Sequence, residues 1–154
     1  MADSPLLKGK VEDLKRRSLG RSVSHLHSHI RVYLQRELEE YGIGSGQYAY
    51  LMLLYRYDGS SQDELTEKLR VDKATTTRAI VKLVRTGFVR RMRDTDDRRK
   101  FHVFLTKKGW EFRPVLREIL DRWTEGLLEG FTEEERESIF ILLERLESNA
   151  EGMS

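Results

Sequence analysis

The chain has 154 residues, 38% of them hydrophobic and 35% charged, with a formal net charge of +2 and no cysteine. That length suits one domain with helical extensions, and so lean a core implies that some apolar surface is buried against a partner. The lack of cysteine excludes a disulfide framework, a thiolate metal site and a thiol redox switch.

Charge is unevenly distributed. Residues 61–106 carry 12 Lys and Arg against 7 Asp and Glu, whereas residues 107–154 carry 7 against 12. A basic centre suits a polyanion and an acidic end does not. The start, MADSPLLKGK, lacks the apolar stretch of a signal peptide, and no run of about 18 apolar residues exists to span a bilayer. A cytoplasmic protein with no membrane partner is expected.

In chain order, Met1–Gly9 reads as loose, with Leu6 and Leu7 available to a partner subunit, and Val11–Arg17 reads as a helical turn. Ser18–Tyr41 reads as a long helix, with Val23, Leu26, Ile30, Tyr33, Leu34 and Leu38 at helical spacing and Gly20 as a candidate break. His25 and His29 stand one turn apart on it and could share a metal if His102 or a carboxylate completed the set. Histidines on a helix are more often packed or solvated, so neither metal nor cofactor is expected. Gly42-Ile43-Gly44-Ser45-Gly46 follows no strand and lacks the Lys-Ser/Thr pair of a phosphate loop; it reads as a helix C-cap followed by an N-cap. Tyr48–Tyr57 is then a short apolar helix closed by Asp58-Gly59-Ser60.

Ser61 with Glu64 three residues on forms a capping box for a helix over Asp63–Leu69. Arg70-Val71-Asp72 is a turn, Asp72 caps a second helix over Lys73–Thr86, and Gly87 ends it. On that helix Ile80, Leu83 and Val84, with Thr76 one turn earlier, form the apolar stripe. Thr75, Arg78, Lys82 and Arg85 fall on the other side, with Ala74 beside them. Arg and Lys reach guanine edges or phosphates, Thr bonds to either, and small residues permit close approach, so Lys73, Ala74, Thr75, Thr76, Thr77, Arg78, Lys82 and Arg85 are the candidate DNA-reading residues. Phe88–Arg93 and Phe101–Leu105 alternate as half-buried strands. The loop between them carries both signs, so Asp–Arg pairing can stiffen it while a guanidinium enters a narrow minor groove. Asp97, Arg98, Arg99 and Lys100 are its candidate residues.

After Thr106 the chain turns helical again over Lys107–Glu129, with Pro114 placed to kink it. Thr132 and Glu135 cap a last helix bearing Ile139, Phe140, Leu142, Leu143 and Leu146. These helices are more apolar than an isolated hairpin requires. A two-fold dimer would bury them and set two recognition helices about 34 Å apart on a palindrome; an intramolecular three-helix pack in a monomer is the alternative.

The order Leu65…Leu69-x-Val71…Arg78…Leu83-x3-Gly87-Phe88-Val89-x-Arg91, then Asp97-x-Arg99-x3-Val103-x-Leu105-Thr106-x2-Gly109, resembles the multiple-antibiotic-resistance regulator (MarR) family. The resemblance covers about Ile43 to Gly109. It implies a mainly α fold with a small β-wing: a winged helix-turn-helix lobe over 43–106, and a dimerisation lobe from 1–41 and 107–154. It also implies a homodimeric transcription factor on double-stranded DNA, usually a repressor, often released by a small aromatic or phenolic effector. Carried over, Asp97 would brace the wing, Arg99 would enter the minor groove with Arg98 as its alternative, and Thr75–Arg78 would sit in the major groove. For an effector, Arg16, His29, Tyr33 and Tyr55 supply aromatic walls and a cation. A winged-helix protein-interaction module is the second reading, but the basic outer face of the Lys73–Thr86 helix lacks the apolar anchors of a protein interface. An enzyme is not expected, since no catalytic constellation is complete.

Overall fold

The structure, a computed structural model, describes residues 18–153. The expectations for Leu6, Leu7, Val11–Arg17 and Arg16 lie outside the described residues. Helix α1 (Leu19–Leu38) begins at Ser18, whose hydroxyl accepts the Arg21 N–H, and Gly20 sits in its first turn without breaking it. A 3-10 turn (Glu39–Tyr41) leads to Gly42, which stops the helix at φ +73° and donates its N–H to the Glu39 carbonyl. The expected apolar stripe of α1 is buried only at its C-terminal end. Leu34 and Leu38 are inaccessible, whereas Val23 and Leu26 are each 52% exposed.

Helix α2 (Tyr48–Leu54) is shorter than expected, because Tyr55–Tyr57 continue it only as turns. No side chain caps it. Instead the glycine run is held by two glutamines: Gln47 accepts the Gly44 N–H and Gln35 accepts the Ser45 N–H.

Helix α3 (Gln62–Leu69) carries the expected reciprocal capping box of Ser61 and Glu64. It ends at Arg70, held left-handed at φ +51°. Asp72 then caps helix α4 (Lys73–Arg85) by accepting the Thr75 N–H, and Gly87 turns the chain at φ +79°. Strands β1 (Val89–Arg93) and β2 (Phe101–Leu105) pair antiparallel, with Val89 opposite Leu105 and Arg93 opposite Phe101. The far edge of β2 is covered by residues 59–61: Gly59 donates to the Val103 carbonyl, and Val103 donates to the Ser60 carbonyl. Leu51, Leu54, Leu65, Ile80, Leu83, Phe88 and Val103 are wholly buried, so three helices and the ribbon share one core.

Helix α5 (Lys107–Leu127) remains one helical segment through Pro114. Its start explains the Leu-Thr-x2-Gly pattern. Thr106 accepts the Gly109 N–H as an N-cap and donates back to the carbonyls of Gly87 and Phe88. Gly109 lets the helix approach so closely that an added Cβ would stand 2.3 Å from the Phe88 carbonyl oxygen.

The chain divides into two compact units inside α5, Met1–Leu116 and Arg117–Ser154. In the second, Arg136 pairs with Glu125 at 2.9 Å and donates to the Leu128 carbonyl. Helix α6 (Glu133–Gly152) has the expected Thr132–Glu135 capping box and no buried residue. Its Phe140, Ile141, Leu142 and Leu143 are all 45–53% exposed.

Candidate nucleic-acid interface

Helix α4 turns Thr76, Ala79, Ile80 and Leu83 into the core. The direction opposite that stripe belongs to Ala74, Arg78, Val81 and Arg85, all exposed, with Thr77 on one flank and half-buried Lys82 and Thr75 on the other. Lys73 is exposed at the first turn and pairs with Asp63 at 2.9 Å. Two assignments on this helix are corrected. Val84, expected in the stripe, is 39% exposed, and Ala79 takes that place. Thr76, counted among the DNA-reading residues, is 1% exposed. Its Oγ1 lies 2.8 Å from Thr66 Oγ1 and 3.3 Å from the Tyr50 hydroxyl, while Thr66 in turn donates to the Gln62 carbonyl at 2.7 Å. A carbonyl only accepts, so the three hydroxyls are satisfied when each passes its proton along this line. Thr76 therefore ties α2, α3 and α4 together from inside.

On the outer face a second chain runs from the cap. The Asp72 carboxylate accepts both the N–H and the hydroxyl of Thr75, and Thr75 Oγ1 accepts from Arg78 at 3.0 Å. The Thr75 bonds hold the Asp72 carboxyl below the usual carboxylate range. Val81, at 48% exposure, was missed in the sequence. Counting three positions on from Arg78 reaches it, and its side chain suits a thymine methyl better than a phosphate.

The wing loop, residues 94–100, is closed by the Asp94 N–H donating to the Lys100 carbonyl and the Lys100 N–H donating to the Asp97 carbonyl. Asp97 receives the Arg99 guanidinium on both oxygens, at 3.1 and 3.3 Å, and its carboxyl is held low chiefly by that contact. The Arg99 side chain is 91% exposed, so Asp97 orients its guanidinium along the Nε–Nη2 edge while the side chain stays open to solvent. Arg98 and Lys100 are also exposed.

The sequence reading missed Asp94, which organises the loop. One oxygen accepts the N–H groups of Asp96 and Asp97, and the other meets His102 Nε2 at 2.7 Å. These contacts, the Asp97 N–H first, bring its pKa down to about 2. His102 is fastened at its other nitrogen, Nδ1, to the Gly59 carbonyl at 2.9 Å. It is therefore not available as the third metal ligand considered for His25 and His29. Among the described residues no group of three His, Cys, Asp or Glu is arranged to hold a metal ion.

The effector candidates are differently occupied. Tyr55 donates its hydroxyl to the Gly109 carbonyl at 3.0 Å, and its ring meets Trp110 and Arg113. Burial pushes its pKa up to about 12 against the opposing charge of Arg113. Tyr33 has the Arg36 guanidinium 5.7 Å from its ring centre, and His29 is exposed. A cleft of about 530 Å³ beside α1 is lined by Ser28, Arg31, Val32, Gln35, Arg36, Glu39 and Ser45, and includes none of these candidates.

A helix pair presenting a basic face, followed by a charged two-stranded wing, defines a winged helix-turn-helix protein. The MarR family profile matches residues 43–101. Over 115 residues the chain is 38% identical to YybA, an HTH-type transcriptional regulator of Bacillus subtilis (strain 168), covering 75% of this chain and 77% of that protein. A MarR transcriptional regulator from Methanosarcina mazei Go1 superimposes with a TM-score of 0.85 at 42% identity, covering 88% of this chain and 98% of the other. A MarR family regulator from Listeria monocytogenes, solved with a 26mer DNA, shares the fold with a TM-score of 0.77 at 23% identity, covering 86% and 89%. The chain belongs to the MarR family of DNA-binding transcriptional regulators and is not an enzyme. Among the described residues no helix is long and apolar enough to cross a membrane.

Proposed function

We infer that this regulator works in the cytoplasm as a homodimer on palindromic duplex DNA, as a repressor. Helix α4 would lie in the major groove, with Arg78 and Arg85 toward base edges and Lys73 and Lys82 toward phosphates. The wing would set Arg99, or its neighbour Arg98, over the minor groove, with Asp97 as its brace and Lys100 beside it. The observation that carries this reading is the division of α4. Thr76, Ala79, Ile80 and Leu83 are consumed by the core, and Ala74, Arg78, Val81 and Arg85 are left outside in one row. Such a row is cationic and short enough to enter a groove.

Dimerisation through residues 18–41 and 107–153 is supported by apolar side chains that the single chain leaves exposed, Val23 and Leu26 on α1 and Phe140 to Leu143 on α6. Large apolar side chains left exposed in this number mark surfaces of association. Release by a small aromatic effector is part of the same proposal, and it would act by favouring one spacing of the two DNA lobes over another.

The test is selection from random duplexes by the purified protein, followed by titration at two salt concentrations. An enriched palindrome with half-sites about ten base pairs apart and a steep salt slope is expected. Weak salt-sensitive binding with no enrichment would refute the operator reading and favour a protein-interaction module.

A further inference from the structure

His102 stands between two groups that only accept hydrogen bonds. Its Nδ1 is 2.9 Å from the Gly59 carbonyl, and its Nε2 is 2.7 Å from the Asp94 carboxylate. A neutral imidazole carries one N–H and can satisfy only one of them; the imidazolium carries two and satisfies both. The alternative is a proton on Asp94. It is disfavoured because the other Asp94 oxygen accepts the N–H groups of Asp96 and Asp97, contacts that stabilise the carboxylate. The ring is therefore the link between the turn after α2, strand β2 and the wing loop.

We propose that protonated His102 is the positioning residue of the wing, a pin that fastens the Asp94 turn to the body of the lobe and so sets the height and direction of the loop that carries Arg98 and Arg99. Loss of its proton removes one of the two bonds and the charge that holds Asp94, and the loop is freed.

The surroundings favour the cation. From α3, Glu64 adds negative charge while it caps Ser61, the residue bridged to His102 across the edge of β2. Asp58, in the turn beside Gly59, accepts the Leu105 N–H. On β1 the residue opposite is Met92; Arg90, whose guanidinium lies 4.9 Å from the Phe104 ring centre, is the cation on the same face of the ribbon, while Arg91 and Arg93 lie over Phe101 on the other. The Asp94 contact first and the Gly59 carbonyl second raise the His102 pKa above its ordinary value. A raised pKa means that the pin is complete below the ordinary histidine pKa and is lost as pH rises through the higher, folded value. DNA that binds only the ordered wing must then supply the ordering free energy, and affinity falls.

The DNA part of this proposal rests on the reading that the wing contacts the duplex, so its test has two arms. In the first, full-length protein without DNA is titrated by NMR through the His102 ring, and hydrogen exchange is followed at the Asp96 and Asp97 amides. Protection, corrected for intrinsic exchange, should drop as His102 loses its proton, and His102→Gln, which offers one nitrogen and no charge, should show low protection at every pH. Protection indifferent to both overturns the pin. In the second arm, affinity for one fluorescent duplex chosen by selection is measured from pH 5.5 to 8.5. Wild type should weaken roughly three- to tenfold more than His102→Gln across the same interval, on the scale of about tenfold per pKa unit of linkage. If Arg99→Ala binds that duplex like wild type, the wing–DNA reading fails, and the first arm alone decides the pin. If Arg99→Ala weakens binding and His102→Gln keeps the wild-type pH slope, the proposal fails and the wing reading stands.

Discussion

Replacing Gly109 with alanine tests the seam between the ribbon and the helix that leaves it. The residue is helical, so on propensity alone alanine should stabilise by about 1 kcal/mol. The structure predicts the opposite sign. The new Cβ would stand 2.3 Å from the Phe88 carbonyl oxygen and 3.0 Å from Leu105 Cδ2, so backbone must retreat by about an ångström to reach ordinary contact distance. Overpacking of that kind costs about 1–3 kcal/mol. The retreat also strains three bonds that meet there: Thr106 to the Phe88 carbonyl, the Gly109 N–H to Thr106, and the Tyr55 hydroxyl to the Gly109 carbonyl. Losing one or two of them adds about 1 kcal/mol each. After the propensity gain is subtracted, a net loss of roughly 1–4 kcal/mol remains, or about 2–16 °C in Tm for a chain of this size. The assay is thermal and urea unfolding followed by circular dichroism at fixed protein concentration. Gly126 on the same helix supplies the control: nothing lies within 4 Å of its added Cβ, so Gly126→Ala should be neutral or raise stability by up to about 1 kcal/mol. A Gly109→Ala protein as stable as wild type, with Gly126→Ala no different from it, would refute the close-approach argument.

Arg99→Ala should lower affinity for a selected operator by more than about tenfold while leaving the dimer intact by sedimentation, since it removes a groove-reading charge and no core contact; unchanged affinity sinks its role in the minor groove. Arg78→Ala should weaken binding to the selected sequence more than to random duplex, and equal losses would mean that Arg78 touches phosphate alone. Thr76→Val preserves shape but breaks the hydroxyl line through Tyr50 and Thr66, so it should cost about 1–2 kcal/mol in urea unfolding while operator affinity well below Tm stays near wild type. Wild-type stability would show that water or rearrangement satisfies those groups.

The elements were legible in the sequence because their signals are local. Ser61 with Glu64, Asp72, Gly87, and Thr132 with Glu135 mark helix ends through bonds spanning a few residues, and each is where the spacing put it. The alternation of Phe101–Leu105 likewise needs only the pleat of one strand. The Asp97–Arg99 brace could be read for the same reason, since its partners are two residues apart.

What tertiary structure alone decided lies between residues distant in sequence. Helical spacing puts Thr76 on the apolar stripe, yet it also counts with Thr75 and Thr77 among the groove residues, and only the fold chooses between the two. The burial of Thr76 follows from where Tyr50 and Thr66, 26 and 10 residues away, bring their hydroxyls. Val81 and Val84 could not be sorted from Ala79 by hydrophobicity, because a small residue is chosen where helices approach closely and only packing says where that is. His102 stood in the sequence as a spare metal ligand. Its work depends on the Gly59 carbonyl 43 residues away, and a backbone acceptor leaves no mark on the identity of the residue that supplies it. The sequence by itself determined the helices, the ribbon and the charge of the outer face, since periodicity and capping are properties of neighbouring residues. The folded chain decided which hydroxyls, valines and histidine are consumed in holding the wing and the recognition helix in place, because burial and hydrogen-bond pairing are settled only when distant segments meet.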